Sequence, residues 1–187
     1  MTRILALDLS LTATGWATNA TLFDAQASGV LSTAKLRGME RLAYIRSFVE
    51  EAVREVERGT GLGFHPIVVL EGYSFGSKGR AVINLGELGG VIRLALRDRG
   101  TPYVEVPPAN VKKYATGRGN APKEEVLAAA IRRLNFAGHD HNEADAWWLR
   151  AMALDHYGEI SEPIVPKAQR AELAKVAWPK LERRAVA

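Results

Sequence analysis

Two short apolar runs, each ending in a carboxylate, constrain the fold of this chain more than any other feature. Ile4-Leu5-Ala6-Leu7 ends at Asp8, and Ile67-Val68-Val69-Leu70 ends at Glu71. Runs of this kind are typical of buried strands. A buried charge is costly without a partner, and function gathers at the carboxyl ends of strands in open α/β sheets. Both acids are therefore candidate functional residues, although an acid also commonly begins a turn.

The residues after Asp8 predict a hairpin. Ser10, Thr12 and Thr14 alternate along the chain, and Gly15 permits a turn. We expect their hydroxyls to lie near a phosphate or another oxyanion. A third strand is predicted over about Ala27 to Ser32.

Apolar residues at three- and four-residue spacing predict the helices. The first follows Gly38 and ends at three glycines (Gly59, Gly61 and Gly63), and the second spans Val82 to Leu96. Gly86, Gly89 and Gly90 lie inside the second helix, where each costs about 1 kcal/mol relative to alanine. Close packing is the expected reason for them. Further elements are a strand at Tyr103–Val106 and helices over about Ala109–Ala115, from Pro122 to Leu134, and through Trp147 to Leu154.

Length and composition favour one ordinary globular domain with an appendage. The chain has 187 residues, of which 47% are hydrophobic and 25% charged. We divide it into a domain at 1–158 and a C-terminal extension at 159–187, in which prolines bracket a basic segment, Lys167 to Lys175. Trp178 is the expected anchor of the extension. A tail that folds onto a partner is the alternative.

Charge and cysteine content limit the function classes. The net charge of +4 is compatible with a nucleic-acid partner without proving one. The absence of cysteine excludes disulfides and thiolate metal sites. Because we see neither a signal pattern nor a membrane-spanning apolar run, we expect a soluble cytoplasmic protein with no membrane partner.

Four motifs, in this order, resemble the RuvC-type Holliday junction resolvases of the ribonuclease-H-like superfamily. They are Leu-Ala-Leu-Asp8 with Ser10 and Thr14-Gly15, Val-Leu-Glu71, the stretch from Val111-Lys112 to Lys123, and Glu143-Ala144-Asp145-Ala146. The similarity covers Ile4 to about Tyr157. It implies an α/β ribonuclease-H-like fold with a mixed five-stranded sheet and helices on both faces.

The resemblance also implies a metal-dependent endonuclease that acts on branched DNA, the four-way junction. Two Mg²⁺ ions per site, with Mn²⁺ as a substitute, would serve phosphodiester hydrolysis, and Mg²⁺ prefers carboxylate oxygen. By resemblance Asp8 bridges both ions, Glu71 and Asp145 flank them, and Lys123 lies near the scissile phosphate. As alternatives, Glu71 is a strand-end surface acid and Lys123 is an ordinary surface lysine.

Asn142 departs from the family pattern, which usually has Asp or His three residues before the last acid. The spacing places Asn142 and Asp145 on one helical face. Three interpretations are open: a weakened metal ligand, an engineered inactive variant, or a helix N-cap with Asp145 at the third helical position. His139 and His141 could support the metals, although loop histidines are more often solvated.

Basic and aromatic residues around the site are candidate DNA contacts. Phosphate contacts of this kind are sequence-independent and sensitive to salt. Resolvases keep an aromatic wedge near this loop, and Tyr73 and Phe75 flank Ser74 at the family's usual position. The alternative for Phe75 is packing under its own loop. The candidate cations are Lys78, Arg80, Lys112, Lys113, Arg118 and Lys123.

A two-fold junction needs two matched cuts, so the resemblance implies a homodimer. The helix from Val82 to Leu96 is the candidate interface. Other functions on the same scaffold are ribonuclease H, flap nuclease, transposase-like core and catalytically silent junction binder. A small ATPase of the actin and sugar-kinase type is disfavoured because this chain is too short for two lobes. The resemblance places the protein in a bacterial cell or a phage-infected host.

Overall fold

The computed structural model describes residues 2–22, 26–58, 66–73 and 80–181. Five strands form one mixed sheet in the order β3-β2-β1-β4-β5, which confirms the predicted architecture. The central strand β1 pairs antiparallel with β2 and parallel with β4, and β4 pairs parallel with β5. The strands are β1 Ile4–Asp8, β2 Ala13–Leu22, β3 Gln26–Ser32, β4 Ile67–Glu71 and β5 Tyr103–Val106.

Helices cover both faces of the sheet, again as predicted. Within the described ranges, no helix is long and apolar enough to cross a bilayer. The first helix ends at Arg58, and the predicted glycine terminator (Gly59, Gly61 and Gly63) lies outside the described residues. The helices are α1 Gly38–Arg58, α2 Arg80–Asp98, α3 Pro108–Thr116, α4 Lys123–Leu134, α5 His141–His156 and α6 Lys167–Arg170, followed by a 3₁₀ helix at Ala171–Lys175.

Alternation along the central strands divides the core into two layers. Leu5 and Leu7 of β1 face α1 and α2, whereas Ile4 and Ala6 face the layer of α3, α4 and α5. Successive strand side chains point to opposite faces, so a strand that is apolar throughout serves both layers. All five residues of β1, including Asp8, are buried.

The C-terminal extension packs on the α3–α5 layer. Val165, Leu173 and Val176 are buried in the same cluster as Ile4, and Trp178 packs against it. The Trp178 ring stacks on His156 with 4.8 Å between ring centroids and 16° between planes. Trp178 is thus an anchor, and the extension packs on this chain's own core as far as Trp178. The boundary at residue 158 stays a prediction.

The glycines of α2 have different surroundings. A Cβ on Gly89 would lie 1.9 Å from the Tyr73 hydroxyl, so this glycine allows a close approach. Around Gly86 and Gly90, by contrast, such a Cβ would meet no atom from outside its own stretch of helix within 4 Å among the described residues. The expectation of close packing is therefore right for Gly89, and for Gly86 and Gly90 it is wrong as far as the described part of the chain is concerned.

Candidate active site

Asp8 and Glu71 lie side by side at the carboxyl ends of two adjacent parallel strands. The β1–β4 register pairs Leu7 with Leu70, so the acids that follow are neighbours. Asp8 is 7% exposed, and its carboxylate shares a hydrogen bond with that of Glu71. Such a bond requires a proton on one partner.

Gly15 brings the third acid to this pair. It pairs with Asp8 across the β1–β2 ladder, and a Cβ on Gly15 would lie 2.0 Å from the Asn142 carbonyl oxygen. Only a glycine lets the start of α5 lie this close to the sheet. Asp145, one turn further along α5, then interacts electrostatically with Asp8 and Glu71.

Two hydrogen bonds tie α5 across the antiparallel strands. The Ser28 hydroxyl donates to Glu143 Oε1 at 2.6 Å, and Arg150 Nη1 donates to the Thr18 carbonyl at 2.8 Å. The first joins β3 to the first turn of α5, and the second joins β2 to its middle. The orientation of α5, and thus of Asp145, is set by residues far away in sequence.

Burial raises the pKa values of all three acids, and repulsion by the charge of Asp8 adds to the effect on Glu71 and Asp145. Burial is the main cause of the raised pKa of Asp8. Burial, followed by the charges of Asp8 and Asp145, raises the pKa of Glu71 well above its ordinary value. Burial and the charge of Asp8 raise the pKa of Asp145 to about 7.

Two lysines oppose this effect. Lys123, exposed at the first position of α4, lowers the pKa values of Asp8, Glu71 and Asp145. The half-buried Lys112 of α3 lowers that of Asp145. Gly117 ends α3 with a left-handed φ of 88°, and the chain then reverses into α4. The structure therefore brings Lys123 and Lys112 to the acids.

The N-cap of α5 is Asp140, so the N-cap interpretation of Asn142 is wrong. The Asp140 carboxylate accepts from the backbone N–H groups of Asn142 and Glu143 at 2.8 and 3.1 Å. Asn142 occupies the second helical position. Asp140 also raises the pKa values of Asp8 and Asp145, so it belongs to the electrostatics of the site. The spacing Asp140-x-x-Glu143 is a capping-box signal that could have identified it.

The hydroxyl of Thr14 and the two histidines near the site make no contact with the three acids among the described hydrogen bonds. Thr14 is fully buried, and its hydroxyl donates to the Ser10 carbonyl at 2.8 Å, so it closes the hairpin and cannot contact an oxyanion. His139 is exposed, whereas His141 begins α5 with a buried Nδ1 that has no hydrogen-bond partner within the described part of the chain.

Tyr73 is packed onto α2. Arg93 Nη2 donates to the Tyr73 hydroxyl at 2.7 Å, and the Arg93 guanidinium lies 5.0 Å from the ring centroid. Arg93 also pairs with Glu105 of β5 at 3.3 Å. Tyr73 is therefore not a free side chain, which disfavours it as a junction wedge. Phe75 and Lys78 lie outside the described residues, and Arg80 begins α2 with a side chain that the structure does not describe.

Lys113 and Arg118 are engaged in ion pairs. Lys113 Nζ lies 3.2 Å from the buried Glu172 of the extension. Arg118 pairs with Glu125 but remains 63% exposed. Lys113 therefore points toward the extension, while Arg118 is accessible at the α3–α4 loop. Their contacts with DNA stay predictions.

The three acids do not form a ready-made metal cage. Among residues 2–22, 26–58, 66–73 and 80–181, no three His, Asp or Glu side chains stand together as a group that could hold an ion. Mg²⁺ in nucleic-acid enzymes usually takes one or two carboxylates, with water and substrate phosphate completing its shell. An acid pair with a third acid nearby fits that mode of binding.

A mixed sheet of this order, with acids at the ends of β1 and β4 and on α5, defines a ribonuclease-H-like protein. Residues 4–156 match the family model described as crossover junction endodeoxyribonuclease RuvC, and the chain belongs to this family. A RuvC from Bacteroides fragilis is 32% identical over 101 residues, which cover 54% of each protein. The chain thus spans about half the length of curated relatives that it matches.

Solved structures agree with the fold. Thermus thermophilus RuvC superposes with a TM-score of 0.64 at 21% identity, covering 83% of this chain and 96% of that one. The same protein in complex with a Holliday junction substrate gives a TM-score of 0.64 at 22% identity, covering 80% and 91%. At this identity the likeness supports the fold alone.

Proposed function

We propose that this chain is a metal-dependent endodeoxyribonuclease that resolves Holliday junctions by paired phosphodiester hydrolysis. The observation that carries the proposal is the hydrogen-bonded pair of Asp8 and Glu71, with Asp145 and Lys123 beside it, in a chain of the RuvC family. Buried acids with raised pKa values next to a lysine are typical of functional sites. The bacterial relatives support action in the cytoplasm of a bacterial or phage-infected cell.

The donor set supports divalent cations. Asp8, Glu71 and Asp145 offer only hard carboxylate oxygens, and binding a cation would replace the proton that Asp8 and Glu71 share. We propose two Mg²⁺ ions, for which Mn²⁺ can substitute, and Asp8, Glu71 and Asp145 would hold them. Such ions supply activation of water and stabilisation of the leaving oxygen.

The chain's own residues would orient the phosphodiester. Lys123 is exposed above the acids, where its ammonium can bind the scissile phosphate. Lys112 and Arg118 would bind neighbouring phosphates, which gives affinity that is independent of sequence and sensitive to salt. Asn142 would offer an amide oxygen without charge, which is a poorer ligand than a carboxylate. Because Tyr73 is occupied by Arg93, Phe75 is the better candidate for the aromatic wedge.

A homodimer would supply two matched sites for the two cuts. The outward face of α2 supports this assembly. Ile83 and Leu94 are 65% and 53% exposed, and no described residue outside α2 would meet a Cβ added at Gly86 or Gly90. Small residues flanked by exposed apolar ones would allow a second copy of α2 to approach closely.

The experiment is cleavage of three substrates with Mg²⁺: a four-way junction, a flap, and an RNA–DNA hybrid. We expect symmetric nicks in the junction and little cleavage of the others. Preferential cleavage of the flap or the hybrid would assign a different nuclease activity to the same scaffold. Tight junction binding with no cleavage would assign a silent junction binder, for which Asn142 is the supporting feature.

A further inference from the structure

The C-terminal extension is joined to α3 and α5 by two buried carboxylates. Asp155 of α5 accepts from Arg170 Nε and Nη2 at 2.9 and 2.7 Å, a bidentate pair. The Tyr114 hydroxyl of α3 donates to the same carboxylate at 2.8 Å. One acid thus connects three elements: α3, α5 and α6.

The second carboxylate belongs to the extension, and one of its partners belongs to α3. Glu172 belongs to the extension, is 3% exposed, and lies 3.2 Å from Lys113 of α3 and 2.7 Å from Lys175. At the end of α3, a Cβ on Gly117 would lie 3.0 Å from Gln169 Nε2. The extension therefore contacts α3 at Lys113, Tyr114 and Gly117.

One residue of α3, Lys112, links these contacts to the acids of the active site. Lys112 precedes Lys113 and Tyr114, and its charge acts on Asp145. A shift or rotation of α3 would move Lys112 relative to the acids. In these pairs the carboxylates are buried and the cations are partly exposed. Removing the cation would leave a buried charge without its partner, which is costly, so a role in fixing geometry is a reason to keep the pairs.

We propose that the Asp155–Arg170 pair is a positioning device, through which the extension orients α3 and holds Lys112 at the phosphate-binding edge of the active site. Asp155 and Arg170 are positioning residues and touch no substrate. This inference rests on the proposed function, because Lys112 must contact DNA for its placement to matter. It gives the residues beyond the family match at 4–156 a function in DNA binding.

The test is a double-mutant cycle on metal-free junction binding, measured by fluorescence anisotropy from low to high salt. Lys112→Gln should reduce the slope of log affinity against log salt by about 1, the amount expected for one phosphate contact. Asp155→Asn keeps an acceptor for Tyr114 and removes one negative charge. If charge alone mattered, it would tighten binding. Positioning predicts the reverse: several-fold weaker binding and a slope lower by about 1.

The matched control is Glu162→Gln, which removes an exposed acid from the same extension and should leave the slope unchanged. In the Lys112→Gln background, Asp155→Asn should have no further effect, because the contact it misplaces is already gone. Additive losses, or tighter binding with an unchanged slope, would overturn the inference.

Folding is checked by circular dichroism. If Asp155→Asn does not fold, the same cycle is run with Arg170→Lys, which retains the charge but loses the bidentate geometry and should reproduce the slope change. If Lys112→Gln itself has no effect on binding, Lys112 makes no phosphate contact and this inference fails, whereas the nuclease assignment is decided separately by the cleavage assay. An intact Lys112→Gln effect with no effect from either positioning variant would contradict only this inference.

Discussion

The two faces of the sheet differ in where their charged side chains lie: exposed on one face and partly buried on the other. On the α1–α2 face, ion pairs lie outside the core, as in Arg54 with Glu51, which are 43% and 39% exposed. On the α3–α5 face, Asp155 and Glu172 are 6% and 3% exposed and are held by partners from other elements. Exposed pairs contribute about 0.2–1 kcal/mol, whereas a buried charge must keep its partner.

Exposed apolar residues show the reverse distribution. Met39 and Tyr44 of α1 and Ile83 and Leu94 of α2 are half or more exposed. Among the described large apolar residues in the helices of the other face, only Ile131 of α4 is exposed, by 44%. One face therefore has the properties of an assembly surface, and the other provides Asp145, Lys112 and Lys123 to the acid site.

The largest expected effect is on cleavage, from a change at Asp8, which lies at the end of the central strand between the two faces. Asp8→Asn should abolish junction cleavage, because the amide cannot replace the carboxylate at the centre of the acid site. Junction binding should remain, since affinity comes from lysine and arginine contacts. Cleavage and anisotropy assays on one preparation measure both. Asp98→Asn, at the exposed end of α2, is the control, and full activity of Asp8→Asn would refute the site assignment.

Placing a carboxylate at position 142 should have the next largest effect. Asn142→Asp should raise the cleavage rate by at least about 10²-fold, the scale on which supporting groups matter at metal sites. It should also lower the melting temperature without metal, because it adds a fourth acid near three others, and Mg²⁺ should recover the loss.

The control for Asn142→Asp is Asn84→Asp on α2, which adds the same charge to the other face. Equal cleavage by the asparagine and aspartate forms would mean that Asn142 takes no part in the site. His141, or water, would then complete it.

Ile83→Asp tests the assembly surface. A charge in the centre of an apolar α2–α2 contact should weaken dimerisation by at least about 10-fold, because burying an unpaired charge is costly. Ile131→Asp makes the same change on the other face and should leave the dimer intact. Analytical ultracentrifugation distinguishes them, and equal sedimentation of both variants would reject α2 as the interface.

The smallest effect concerns stability and pH. Because the pKa of Asp145 is raised to about 7 in the folded protein, its native state binds more protons than the unfolded chain between about pH 4 and 7. Metal-free stability should therefore fall as pH rises through this window.

Asp145→Asn removes the group that causes this fall. At pH 8 the variant should raise the melting temperature by about 2–4 °C for each kcal/mol of unfolding free energy that ionised Asp145 costs the parent chain. At pH 4, where Asp145 is protonated in the folded protein, the melting temperature should change little. Differential scanning calorimetry with and without Mg²⁺ measures this, with Asp98→Asn as the control. A melting temperature that is independent of pH in the parent chain would contradict the raised pKa.

Much of the fold could be predicted because its signals are local. Four-residue apolar runs identified β1 and β4, and the helical spacing of apolar residues identified α1. The same runs predicted that Asp8 and Glu71 end two strands, and in the structure these strands are adjacent and parallel, so the two acids are neighbours. The metal-binding and DNA-binding roles of these residues stay predictions.

What sequence reasoning missed depends on contacts between distant residues. Asp140 and not Asn142 caps α5, and a capping-box pattern at Asp140 would have indicated this. No local signal shows that Arg93 would bind the Tyr73 hydroxyl, or that a Cβ added at Gly86 or Gly90 would meet no described residue outside α2. Packing decides those outcomes, because each depends on elements whose relative placement is not encoded in their own periodicity.

The sequence by itself determined the order of strands and helices, the two acids at strand ends and the resemblance to the RuvC family, because apolar periodicity and short motifs are properties of neighbouring residues. Only the tertiary structure decided that Gly15 admits α5 beside Asp8, that Lys123 faces the acids, and that Asp155 joins the extension to α3. Those arrangements bring together residues far apart in the chain, and their energies come from burial and charge in the folded state.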